Sequence, residues 1–212
     1  MRRLDGFLIR TRSCRAAVAV AAAWSVCACA TSGPERPEQT ELRDETGFTI
    51  TEEVRASGAS RRDFERALKL LDQEQYEDGI ALLVEVTESA PQVTAAHIDL
   101  GIAYGRVDKL EQAEASLERA LELNPRHPVA HNELGIVYRR TGRFGEARAS
   151  YEMALELWPE FHFARKNLAI LCDVYLADSS CAMKHYELYT QAVPGDETAA
   201  MWIADLRNRA TE

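Results

Sequence analysis

From residue 60 to the end of the chain, apolar residues recur at helical spacing in short blocks separated by polar turns. Leu100, Ile102, Ala103 and Tyr104 give one helix an apolar stripe, and Ala113, Leu117, Ala120 and Leu121 give the next another. Val107-Asp108-Lys109 and Thr141-Gly142-Arg143 read as the turns between paired helices, with Gly142 free to take a left-handed backbone. Pro125 and Pro159 stop the second helix of each pair, because proline cannot continue a helix. The pattern predicts an all-α chain of helix–turn–helix pairs.

The pairs are copies. Residues 94–127 and 128–161 align without a gap, and 16 of 34 positions are identical. Leu100/Leu134, Gly101/Gly135, Tyr104/Tyr138, Ala113/Ala147, Ala120/Ala154 and Pro125/Pro159 recur at positions 7, 8, 11, 20, 27 and 32 of the unit. Small residues at positions 8 and 20 let two helix axes approach, and position 24 (Leu117, Tyr151) fills the space beside them. This set resembles the tetratricopeptide repeat, a 34-residue helix–turn–helix unit. One such pair cannot bury its apolar face alone, so neighbours are expected on both sides.

Stepping by the same period gives 60–93 as a degenerate first repeat, with Arg66 where leucine is usual and Gly79 where alanine is usual. The fourth repeat is 162–196, and its second half fits only if the turn Ala177–Cys181 carries one extra residue. An amphipathic segment at 197–212 reads as a capping helix. The expectation is a solenoid of four repeats plus a cap.

The first 28 residues are of another kind. Arg2, Arg3, Arg10, Arg12 and Arg15 precede an apolar run from Ala16 to Ala28, too short to span a bilayer and of signal-peptide length. Val26-Cys27-Ala28-Cys29 resembles a bacterial lipobox, which implies cleavage after Ala28 and acylation of Cys29; an ordinary signal peptide is the alternative. By resemblance to envelope lipoproteins, Ala30 after that cysteine favours the outer membrane. Residues 29–59 then form the lipidated cysteine and its linker. Within it 30–47, rich in Pro, Glu and Thr, is expected to be disordered, and Phe48-Thr49-Ile50-Thr51 is a short alternating stretch.

The net charge of the whole chain is −9. Removal of 1–28 takes five arginines and one aspartate, leaving −13, which speaks against nucleic acid as a partner. With Cys14 and Cys27 in the signal and Cys29 lipidated, Cys172 and Cys181 remain as either a disulfide across the last hairpin or two buried thiols. His97 and His131 occupy equivalent positions and read as packing residues. His127 and His131 have metal-compatible spacing, but Pro128 places His127 in the inter-repeat turn. No metal, cofactor or catalytic constellation is expected, and the chain reads as a non-enzyme.

Function then rests on the groove. Resemblance to tetratricopeptide arrays puts ligand contacts on the first helix of each repeat, at positions 2, 5, 6, 9, 12 and 13. The contacts expected here are Ile98, Ile102 and Arg106, then Asn132, Ile136, Arg139 and Arg140, then Phe163, Lys166, Asn167 and Ile170. Asp99, Gly105, Glu133 and Asp173 share those positions. An isoleucine row beside arginines and lysine suits an extended peptide or helix of acidic character. Only Asn167 matches the carboxylate clamp of chaperone-binding relatives, so capture of a free C-terminus is not implied. The fourth repeat and the Phe48–Arg55 stretch resemble tetratricopeptide proteins described as components of TonB-type envelope systems. That implies a lipid-tethered periplasmic adaptor for a protein partner. Alternatives are a type IV pilus assembly lipoprotein of pilotin type and an adaptor for peptidoglycan-remodelling enzymes.

Overall fold

The computed structural model describes residues 57–209 together with the segments 8–9, 38–43 and 49–54. The chain divides into two units, at 1–57 and 58–212.

In the first unit, β1 (Leu8–Ile9), β2 (Glu38–Arg43) and β3 (Thr49–Val54) form an antiparallel sheet in that order. The β2–β3 register sets Leu42 opposite Ile50 and Glu38 opposite Val54. Over 38–43 this differs from the expectation of disorder across 30–47; the rest of that stretch lies outside the described residues. Thr49-Ile50-Thr51 and Val54 favour a strand because β-branched residues suit extended backbone, and the neighbouring segment with Thr40 and Leu42 pairs with it. The signal-peptide and Cys29 expectations lie outside the described residues, apart from β1.

The second unit is the α solenoid. Its helices are α1 (Gly58–Asp72), α2 (Tyr76–Ser89), α3 (Thr94–Arg106), α4 (Leu110–Leu123), α5 (Pro128–Arg140) and α6 (Phe144–Leu157). They continue with α7 (His162–Ile170, prolonged by a π-helical turn over Leu171–Tyr175), α8 (Ser179–Ala192) and α9 (Glu197–Arg209). Among the described residues no helix is long and apolar enough to cross a membrane.

Each pair closes on small residues. A Cβ at Gly101 would stand 2.6 Å from Leu117 Cγ, and one at Gly135 would stand 2.6 Å from Tyr151 Cε1. Gly79 has the same role in the first repeat, where a Cβ would meet Leu71 Cδ2 at 2.5 Å. The departure from alanine there makes room for a leucine of the partner helix. Ala113, Leu117, Ala120, Ala147, Tyr151 and Ala154 are all fully buried. Ala147 and Tyr151 continue into a core with Leu168, Cys172, Ala182 and Tyr186, which α9 closes through Ile203 and Leu206. That is the capping role.

Every hairpin turn has three residues, and its middle residue is left-handed: Glu74 (φ 60°), Asp108 (φ 62°), Gly142 (φ 78°) and Ala177 (φ 52°). Only one of the four is glycine. The last hairpin keeps the three-residue turn, so the extra residue of repeat four is not in the turn as expected. It is absorbed inside the helix, where Leu176 N–H donates to Leu171 O across five residues, the signature of a one-residue insertion. Beside this π turn Cys172 and Cys181 are bridged, with their Cα atoms 5.8 Å apart.

Successive repeats are joined by one recurrent bond. His97 and His131 donate through Nε2 to the carbonyls of Pro91 and Pro125, at 3.1 and 2.9 Å, and Arg165 reaches the Pro159 carbonyl from the same repeat position. The two histidines are therefore linkers between repeats. His127 caps α5 by accepting from Ala130 N–H at 3.4 Å, and burial pushes its pKa down to about 4.

Candidate binding face

First helices pack on first helices: α1 on α3, α3 on α5, α5 on α7. Among the described residues the second helices α2, α4, α6 and α8 make no comparable contact with one another. A stack that is tighter along one layer than the other curves toward the tighter layer, so α3, α5 and α7 line the inner side. Residues three and four apart share a helix face, so positions 6, 9 and 13 form three rows across these helices.

The middle row is apolar: Ile102, Ile136 and Ile170 are each half-buried, and the last two also pack against the core between repeats three and four. They present an edge to the groove and anchor the other side in the fold. Ile98 and Asn132 differ from expectation. At 5% and 2% exposure neither offers a surface, because position 5 turns toward the neighbouring helices. Asn132 instead holds the polar row together. Its Oδ1 accepts from Asn167 Nδ2 at 2.9 Å, and its Nδ2 donates to Glu133 Oε1 at 2.9 Å. Phe163 is 41% exposed, against the His162 ring at 4.1 Å.

The cations are less available than their number suggests. Arg140 donates to the Gly105 carbonyl at 2.5 Å and to Asp108 Oδ1 at 2.7 Å, bracing the turn of the preceding repeat. Lys166 is held by Asp196 at 2.8 Å and lies over the Tyr189 and Trp202 rings. Arg139 points to Tyr175, with an Oη contact at 3.4 Å and its guanidinium 5.7 Å from the ring centroid. Arg106 stays exposed. Three of the four cations expected to line a basic groove thus also serve internal contacts.

The acidic members of the face were passed over in the sequence. Asp99 and Glu133 occupy position 6 of consecutive repeats and are both half-buried. Burial first, then the negative charges of Glu133 and Asp72, pushes the Asp99 carboxyl up to about 7. Glu133 is also pushed up, chiefly by burial, against the opposing effects of Asn132 and Arg106. Tyr151 is fully buried, and its hydroxyl lies beside the Arg139 guanidinium, near Glu133 and Tyr175; neither the hydroxyl nor the Arg139 Nε reaches hydrogen-bond geometry with a partner. An acid repeated at one position of two aligned copies was the signal available in the sequence. The face can therefore hold an apolar stem along the isoleucine row and a polar or cationic group along the position-6 row. Among the described residues one cluster has metal-ligand geometry, Cys172, Asp178 and Cys181, and its two sulfurs are bonded to each other.

Comparison with known proteins agrees with this fold. Residues 98–160 match the family model described as tetratricopeptide repeat. Among solved structures, a MamA from Desulfovibrio magneticus RS-1 superposes with a TM-score of 0.66 at 15% identity, covering 73% of this chain and 87% of that one. Pseudomonas aeruginosa PilF gives 0.66 at 20% identity, covering 72% and 69%. The first tetratricopeptide domain of Spaghetti (RPAP3), solved with the HSP90 peptide SRMEEVD, gives 0.55 at 24% identity, covering 57% and 97%. No curated protein matches the sequence. At these identities the likeness is one of fold.

Proposed function

We propose that the protein is a non-catalytic adaptor that holds a segment of another protein on the face formed by α3, α5 and α7. The observation that carries this reading is the row of Ile102, Ile136 and Ile170, half-buried at one repeated position beside polar groups fixed by their own hydrogen bonds. Preorganised apolar anchors with a polar flank suit an extended peptide or an amphipathic helix. A similar fold has been solved with a peptide bound, which is in keeping with the reading.

The envelope setting is part of the proposal and rests on the sequence. The Val26–Cys29 lipobox would tether the mature chain at Cys29 to the periplasmic side of the envelope, with the outer membrane favoured by Ala30. The resemblance of repeat four and of Phe48–Arg55 to TonB-system components makes an energy-transducing complex the preferred setting. Pilus assembly is the second reading.

Two variants separate anchor from groove in one experiment. The Cys29→Ser variant is expected to leave the membrane fraction with its solenoid intact. The Ile136→Arg variant is expected to stay membrane-bound but to recover at least about tenfold less partner in affinity purification, since one buried charge opposes an apolar contact by more than 1.4 kcal/mol. Unchanged recovery with Ile136→Arg would remove the groove from the account.

A further inference from the structure

We infer that the binding face selects a cationic side chain of its partner, a lysine or arginine set between apolar residues, seated between Asp99 and Glu133 with its stem along Ile102 and Ile136. This deepens the adaptor reading and rests on it. The two carboxylates stand at the same position of adjacent repeats on helices in direct contact, so they face one stretch of groove. Among the described residues neither is in an ion pair. The charges that bear on Asp99 are Glu133 and Asp72, both negative, and those of Glu133 include only the exposed Arg106 as a cation. Two half-buried acids with only the exposed Arg106 acting on one of them are costly to the free protein, and a bound ammonium or guanidinium would relieve that cost.

Three further features orient the site toward a ligand. Glu133 is aimed by Asn132, itself fixed by Asn167, so one carboxylate oxygen is held and the other left over. The enclosed Tyr151 hydroxyl lies beside the Arg139 guanidinium and near the same carboxylate, and neither it nor the Arg139 Nε has a partner in hydrogen-bond geometry, which is unfavourable until something bonds them. Finally, Arg139, Arg140 and Lys166 are turned to Tyr175, Asp108 and Asp196, so that of the four cations of the face only the exposed Arg106 acts on Glu133. A lysine or arginine with its alkyl stem on the isoleucines satisfies both rows at once. A bare metal ion would leave the isoleucine row unused.

The test uses the mature full-length protein and three fluorescein-labelled peptides sharing an isoleucine-rich frame with lysine, glutamine or glutamate at the centre. Anisotropy titrations at pH 8 are expected to give the lysine peptide at least about tenfold tighter binding than the glutamate peptide, a difference of about 1.4 kcal/mol. The Asp99→Asn, Glu133→Gln double variant is expected to bind all three alike, with its helical circular dichroism retained. Equal binding of the three peptides by the wild type would overturn the inference. So would preference for glutamate, failure of the lysine peptide to bind, or a preference that survives the double variant. Failure of the groove reading itself is distinguishable, because binding of all three peptides would then persist in Ile136→Arg.

Discussion

Asp99 holds its proton further toward neutral pH than an ordinary aspartate. Its carboxyl titrates near 7 in the folded chain, well above the ordinary aspartate value of about 3.9, because it is half-buried beside Glu133 and Asp72. A raised folded pKa means the folded state keeps a proton that the unfolded state has lost. Stability therefore falls as pH rises from about 4 through 7. Asp99→Asn removes that cost. After discounting for partial exposure, the variant should be more stable than wild type by about 1–2 kcal/mol at pH 8, and by less at pH 5. Paired thermal melts at the two pH values check this. His127 and His185, both lowered to about 4, lose stability in the opposite direction as pH falls below 6.5, but they are common to both proteins and cancel in the comparison. A stabilising substitution at an inward-facing acid is what a site kept for binding gives. Repeat position put Ile102, Ile136 and Ile170 on the inner helices, but it also put Ile98 and Asn132 on the face, and these are buried against neighbouring helices. Nor did the sequence show which cations are already engaged, since Arg140–Asp108 and Lys166–Asp196 join residues 32 and 30 apart. Pairings of that range are made by packing and leave no local trace.

At the scale of the element, the hairpin is the unit, and the helix pairs were legible because small and large residues alternate at fixed positions. The turn was only partly legible. Gly142 marked one left-handed position, but Glu74, Asp108 and Ala177 hold the same conformation without the residue that favours it. An L-residue with a Cβ gives up about 1–2 kcal/mol there. Ala177→Gly should accordingly raise stability by about 1 kcal/mol in urea titration, whereas Gly142→Ala should lower it by a similar amount. Equal effects of the two changes would show that the turn geometry is not shared. The π turn in α7 was not legible either. An inserted residue can enter a turn or a helix, and here Asp178 decides: its carboxylate caps α8 by accepting from Cys181 N–H at 3.0 Å, and its own N–H donates to Cys172 O at 2.8 Å. Those two bonds hold the turn at its usual length and push the extra residue back into α7. The Cys172–Cys181 bridge spans the same junction.

Over the whole molecule, the solenoid is a row of similar hairpins tied by repeated contacts. Position-4 side chains bond the preceding proline carbonyl, and Arg143 reaches Glu114 across the repeat boundary at 2.5 Å while lying 4.1 Å over the Tyr138 ring. Such regularity fixes the spacing of the inward-facing rows, and the account of function depends on that spacing. Ile136 sits at the centre of the face, while Glu122 on α4 belongs to the outer layer with its side chain 65% exposed. The most direct measurement is photocrosslinking in native cells from a photoreactive residue at Ile136, with one at Glu122 as the comparison, followed by mass spectrometry of the adducts. One protein is expected to be captured from Ile136 and not from Glu122, through a segment with lysine or arginine among apolar residues. Capture from Glu122 alone, or the same background from both positions, would contradict it.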